Sequence, residues 1–197
     1  MSFTKKFEYY GEEVWEWNLP TGWTCPFASA CLVKVDRESG SMDDRSSEFK
    51  CYAGAAERFP GVRDSRWENF EIAKKGRLPR LPHGAKRVRI HASGDFFSQA
   101  YFDLWLKYCR HYVKVEFWAY TKSLKYWIAR LNEIPPNLVL TASTGGKHDH
   151  LIKEHDLKHV VVVKDRAEAK EKGLPVCWND REARYKNINF ALIDNFN

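Results

Sequence analysis

Hydrophobic and polar positions divide the 197-residue chain into three stretches. The middle one, Arg87 to about Lys164, alternates short apolar runs with helical patterns. Val88-Arg89-Ile90-His91-Ala92 reads as a strand. Ser98 to Tyr112 reads as a helix, with Tyr101, Leu104, Trp105, Tyr108 and Cys109 recurring at helical spacing. Val113 to Tyr120 is a strand, and Leu124 to Leu131 a helix stopped by Pro135-Pro136. Asn137 to Ser143 follows as a strand, Asp149 to His155 as a short helix, and His159 to Val163 as a β-branched strand. This alternation predicts βαβ units and a parallel sheet.

The flanking stretches are less regular. Met1 to Gly84 is rich in turn residues. Asn18-Leu19-Pro20-Thr21-Gly22 reads as a turn, Asp36 to Ser47 as an exposed loop, and Gly76 to Gly84 as a linker. Helix-forming residues occupy Ala53 to Phe59 and Ser65 to Lys75. After Asp165 the pattern predicts a charged helix from Arg166 to Lys172. A turn then leads into Cys177, and Ile188 to Ile193 reads as an edge strand.

Composition refines this picture. The apolar share of 44% suffices for one continuous core, and an aromatic share of 15% with eight Trp leaves rings to shield a site. The formal charge of +6 is spread along the chain, which permits a nucleic-acid partner without calling for one. No window of 18 apolar residues exists, so no membrane span is expected. Met1 to Tyr10 lacks the apolar core of an export signal. A reducing cytoplasm is therefore the expected compartment, where five cysteines serve as core thiols, ligands or catalytic groups rather than disulfides.

Candidate chemistry gathers where strands end. In parallel α/β folds, functional groups sit just past the C-terminal strand ends. Ser93-Gly94-Asp95, Tyr120-Thr121-Lys122-Ser123, Ser143-Thr144-Gly145-Gly146-Lys147 and Lys164-Asp165 each follow a strand candidate. Any one of them is ordinary turn chemistry. Together they suggest a polar mouth, in which Lys122 neutralises an anion and Asp95 accepts a hydrogen bond.

The cysteines carry the second signal. Cys25 and Cys31 flank Pro26 on a loop, and Cys51 follows the polar stretch. Thiolates suit an iron–sulfur core. Cys177, after its own turn, is the candidate for a fourth ligand, while Cys109 sits at a core spacing and reads as a buried thiol. Spacing alone leaves iron–sulfur, zinc and unrelated core cysteines open, since neither a ferredoxin run nor paired C-x₂-C motifs are present.

The ordered motifs add a resemblance. Asn18-Leu19-Pro20, Thr24-Cys25-Pro26 with Cys31, Cys51-Tyr52-Ala53, Arg89-Ile90-His91-Ala92-Ser93-Gly94-Asp95-Phe96, Tyr101, Trp105 and Tyr120-Thr121-Lys122-Ser123 resemble the phage family named for actinophage gene product eighty-eight. More distantly, the chain is similar to radical S-adenosylmethionine enzymes. That likeness implies one α/β domain over residues 1–197. An irregular cysteine-bearing segment (1–84) would precede the βα repeats of a partial (β/α) TIM-like barrel with parallel strands (85–197). It further implies a [4Fe–4S] cluster on Cys25, Cys31 and Cys51 at the barrel mouth. The expected function is a phage-encoded cluster-binding protein in the host cytoplasm, with a redox partner or small-molecule substrate. One alternative is a radical enzyme whose S-adenosylmethionine pocket is lined by Ser93, Asp95, Tyr120, Lys122 and Ser143. The other is a zinc-stabilised interaction module. The gap from Cys31 to Cys51 is longer than in the radical enzymes, and a fourth thiolate from Cys177 would close the open iron site.

Overall fold

The sheet at the centre of the molecule follows the order of the chain. In the computed structural model, which describes residues 3–9, 12–45 and 51–194, β1 (Thr4–Tyr9) and β2 (Glu12–Trp17) form an antiparallel hairpin. A small ladder of β3 (Lys34–Val35) and β4 (Met42–Asp43) and two helices, α1 (Tyr52–Ala56) and α2 (Pro60–Lys74), come next. Then β5 (Arg87–Ile90), α3 (Gln99–His111), β6 (Glu116–Thr121), α4 (Leu124–Ile128), β7 (Leu138–Ser143), α5 (His150–Glu154), β8 (His159–Val163), α6 (Arg166–Glu171) and β9 (Phe190–Ile193) complete the fold. The seven-stranded sheet has the order β1-β2-β5-β6-β7-β8-β9, and every pairing after the β1–β2 hairpin is parallel. The result is a mixed α/β protein with a mostly parallel sheet. β1 and β9 lie at opposite edges, and the described residues form no closed barrel.

The strands are buried on both faces, which is why their sequences read as apolar runs. Val88, Ile90, Phe117, Ala119, Leu138, Leu140 and Ala142 face the helices. They pack there against Tyr101, Phe102, Trp105 and Leu106 of α3, Leu124 and Trp127 of α4, and Ile152 of α5. Ser98 caps α3 by accepting the Tyr101 amide at 3.2 Å. Cys109 is fully buried in this layer, as its spacing suggested. Alternate residues Val14, Trp118, Val139, Val160 and Phe190 form a second core on the other face, closed by Cys177 and Ala183.

The N-terminal stretch departs from the expected irregular segment. Its first strands join the main sheet, with Trp15, Glu16 and Trp17 in register with Val88, Arg89 and Ile90. The reason is the pairing itself: β2 satisfies the free edge of β5. The expected helix from Ser65 instead begins at Pro60, whose fixed φ suits the first helical position. The expected exposed loop from Asp36 folds back into the β3–β4 ladder, while Ser46 and Ser47 at its end lie outside the described residues. The edge strand expected near the C-terminus is β9.

Candidate functional site

The polar residues after β5, β6 and β7 meet at one end of the sheet, and the Cys25–Cys31 loop is laid across them. Turn geometry shapes its entry. Gly22 has φ +73°, and a Cβ there would stand 2.0 Å from the Val33 carbonyl oxygen. Gly94 has φ +84° and lets Leu19 and Thr24 pack directly on the β5 loop. The far end of the cysteine loop is clipped to the β7 loop. The Ser29 and Ala30 amides and the Ser29 hydroxyl all donate to the Gly145 carbonyl, and the Lys147 amide donates to the Phe27 carbonyl at 2.9 Å. The Asp149 carboxylate accepts both the Gly145 and Gly146 amides, holding that turn in place.

Below the loop lies a buried network that joins three chain segments. Glu57 accepts the Thr21 amide at 2.7 Å, the Thr21 hydroxyl at 2.6 Å and an Arg66 amino group at 2.7 Å. The Thr21 and Ser93 hydroxyls lie 2.9 Å apart, and Ser93 donates to the Leu19 carbonyl. Ser93, expected as a pocket residue, therefore spends its hydroxyl in binding the cysteine loop to β5. Cys51 stands immediately before α1, whose Ala53 carbonyl accepts the same Arg66 amino group.

These contacts bring Cys25, Cys31 and Cys51 within electrostatic reach of one another and of Asp95. Burial pushes the Cys25 thiol well above its usual range, and the charges of Asp95, Cys51 and Cys31 add to the rise. A backbone contact at Gly22 works the other way, favouring the thiolate. Burial also raises Cys31, which Lys122 partly offsets. Among the described residues, no group of three or more His, Cys, Asp or Glu side chains is placed to hold a metal ion.

Asp95 and Lys122 hold the floor of this site. The Asp95 carboxylate accepts the Thr121 hydroxyl at 2.6 Å and the Lys122 and Phe96 amides at 2.8 and 2.7 Å. Lys122 donates from Nζ to the Ser143 hydroxyl at 2.7 Å and the Thr144 carbonyl at 2.6 Å. Burial pushes the Asp95 carboxyl up to about 6 against these bonds. An unfolded aspartate titrates at 3.8. Between those values the native state keeps a proton that the unfolded state has lost, so stability falls as pH rises. In chelator-treated protein, the unfolding free energy from urea titrations should drop by up to about 3 kcal/mol between about pH 4 and pH 6, and Asp95→Asn should flatten that slope. An unchanged slope in the variant would assign the effect elsewhere.

Tyr120 and Cys177 lie on the second face of the sheet. The Tyr120 hydroxyl donates to Asp180 at 2.9 Å. Cys177 is buried among Trp118, Val139, Val160 and Phe190. Burial first, and then Glu182, push its thiol up to about 11. Its charge neighbours include Glu182, Tyr120 and Lys158, so the structure sets it in surroundings different from those of the other three cysteines. Nothing in the sequence pattern marks Glu57, Arg66 or Asp180 as site residues. Arg89 did carry a signal, as a charge inside Val88-Arg89-Ile90 of a strand buried on both faces.

A mostly parallel α/β sheet with the Cys25–Cys31 loop clipped across its strand ends defines the class. Residues 3–193 match the family described as Gene product 88, and the chain belongs to that family. It is 29% identical over 125 residues to the "Gene 88 protein" of Mycobacterium phage D29. That match covers 53% of this chain and 46% of the phage protein, under half its length. No solved structure matches. No helix among the described residues is long and apolar enough to cross a membrane.

Proposed function

We propose that this phage-family protein binds a [4Fe–4S] cluster through Cys25, Cys31 and Cys51, on the strand ends of a partial (β/α) barrel. The observation that carries the reading is that Cys51, from a separate segment, lies near enough to Cys25 and Cys31 to act on both of their thiols. Three neighbouring thiolates would repel one another, so a positive centre is needed for all three to ionise together. A single tetrahedral ion draws its sulfurs to within about 4 Å of each other, whereas a cluster accepts wider spacing. The unbroken strand order β2-β5-β6-β7-β8-β9 supports the barrel-like reading.

The donor set is all sulfur, and Lys122 stands near Cys31 to balance negative charge. Bound there, the cluster would supply one-electron chemistry. Cys177, with Glu182, Tyr120 and Lys158 about it, favours a three-cysteine set over a four-cysteine one. That leaves one iron open to an exogenous ligand, for which S-adenosylmethionine is the second reading. Asp95 and Lys122 would then orient it through the bonds they hold across β5, β6 and β7.

Iron and sulfide per chain, measured on protein purified without air, test the proposal. About four of each per chain are expected in the wild type and in Cys177→Ala. Zinc without sulfide would overturn the cluster reading. Loss of iron in Cys177→Ala would restore the four-thiolate form. A change in the cluster spectrum on adding S-adenosylmethionine would favour the radical enzyme.

A further inference from the structure

The second face of the sheet holds a charge that the cysteine site does not use. Arg89 is buried on β5, beside Trp118 and Tyr120 of β6. One guanidinium nitrogen lies 3.0 Å from an Asp180 oxygen, and the Tyr120 hydroxyl donates to the other oxygen at 2.9 Å. A second guanidinium nitrogen donates to the Tyr52 hydroxyl at 3.0 Å, which in turn donates to the Ala92 carbonyl. One carboxylate is thus held through both oxygens by a charged and a neutral donor, on rigid strands. Such paired donors select planar anions.

The carboxylate that fills this receptor comes from a strap rather than from the sheet. Residues 177–185 cross the second face between α6 and β9. The C-terminal half of the strap is tied down firmly. Lys158 donates to the carbonyls of Glu182, Ala183 and Tyr185, and Arg184 makes a paired contact with Glu116. At the other end, Cys177 is held by its amide bond to the Ala191 carbonyl. The tip around Asp180 reaches the sheet through that carboxylate. Asp180 itself adopts φ +61°, a left-handed conformation that Asp tolerates better than most residues with a side chain. Beside the receptor, three buried polar atoms have no hydrogen-bond partner among the described residues: Arg89 Nε, Trp118 Nε1 and Thr141 Oγ1. They stand on one face of neighbouring strands, since Arg89 is in register with Trp118 and Tyr120 with Thr141. All three can donate, and each orphaned donor is a polar atom that a ligand would satisfy.

We propose that Arg89 and Tyr120 form a binding site for the carboxylate of a small-molecule ligand, and that Asp180 is its built-in occupant, displaced when the ligand enters. The orphaned donors at Trp118 and Thr141 would meet acceptor groups next to that carboxylate. The site stands independently of the cluster, because none of its residues is a proposed iron ligand. Failure of one reading therefore leaves the other intact.

Acetate and succinate titrations of the full-length protein, followed by tryptophan fluorescence and thermal shift, test this. The wild type should bind weakly but saturably. Asp180→Asn removes the competing charge and should tighten binding by about tenfold or more, because less of the receptor is self-occupied. Arg89→Met should abolish it in either background. Tyr120→Phe keeps the ion pair and should weaken binding in the wild type, so the test survives if Asp180→Asn fails to fold. No saturable binding in either wild type or Asp180→Asn would overturn the proposal. So would binding insensitive to Arg89→Met.

Discussion

Replacing Glu57 with alanine destabilises the protein by about 3–5 kcal/mol, because it strands a buried guanidinium. Glu57 is completely inaccessible and Arg66 nearly so, at side-chain exposures of 0% and 9%. One Glu57 oxygen takes the Arg66 amino group together with the amide and hydroxyl of Thr21. Without it, that amino group keeps the Ala53 carbonyl, and the Thr21 amide loses its acceptor. A surface ion pair would cost at most about 1 kcal/mol, so the magnitude itself identifies the environment. Urea unfolding followed by tryptophan fluorescence reads the shift in midpoint. The double variant Glu57→Ala/Arg66→Met should regain part of the loss, since removing both charges also removes the desolvation cost. A loss below about 1 kcal/mol for the single variant would show that the pair is solvated. The consequence reaches the candidate site, for Glu57 binds the turn before Cys25 to the helix that starts after Cys51.

That network explains what was legible in the sequence and what was not. The units from β5 to β8 were readable because each strand is an apolar run and α3 repeats its rings at helical spacing. Burial against neighbours within the same layer leaves that periodic trace. β2 left a weaker one. Glu12-Glu13-Val14-Trp15-Glu16-Trp17 mixes charge with aromatics, and Glu16 is buried with Asn18 donating to its carboxylate. Its place is decided by a partner seventy residues on, which no local window contains. Glu57 and Arg66 look like any solvated helix charges until α2 packs beneath the cysteine loop. The clusters after β5, β6 and β7 are joined at one end of the sheet by Asp95 and Lys122. Their roles divided in ways that residue type could not show: Ser93 and Asp95 became fasteners, Tyr120 turned to the opposite face, and Lys122 bridged to β7.

The convergence of Cys25, Cys31 and Cys51 implies the other large effect. On the proposed ligand set, Cys25→Ala, Cys31→Ala or Cys51→Ala each lowers iron content to below about a tenth of wild type, since binding is shared among few ligands and coupled to folding. Cys109→Ala is the control. It removes a buried thiol behind the helices, so it costs stability without touching iron. Structure makes a second readout available. The Cys25–Cys31 loop is held by turns and by backbone bonds to Gly145 and Lys147, with no helix or long strand of its own. A cluster that bridges this loop to Cys51 should raise the unfolding midpoint of the wild type on anaerobic reconstitution with iron and sulfide. The three variants should show no such rise. Equal iron in all four variants would mean that the metal is adventitious, and that the three thiols meet as packing groups. Selective loss from the three, with Cys109→Ala unchanged, would separate a ligand set from mere proximity, because the bonds that position the loop do not pass through sulfur.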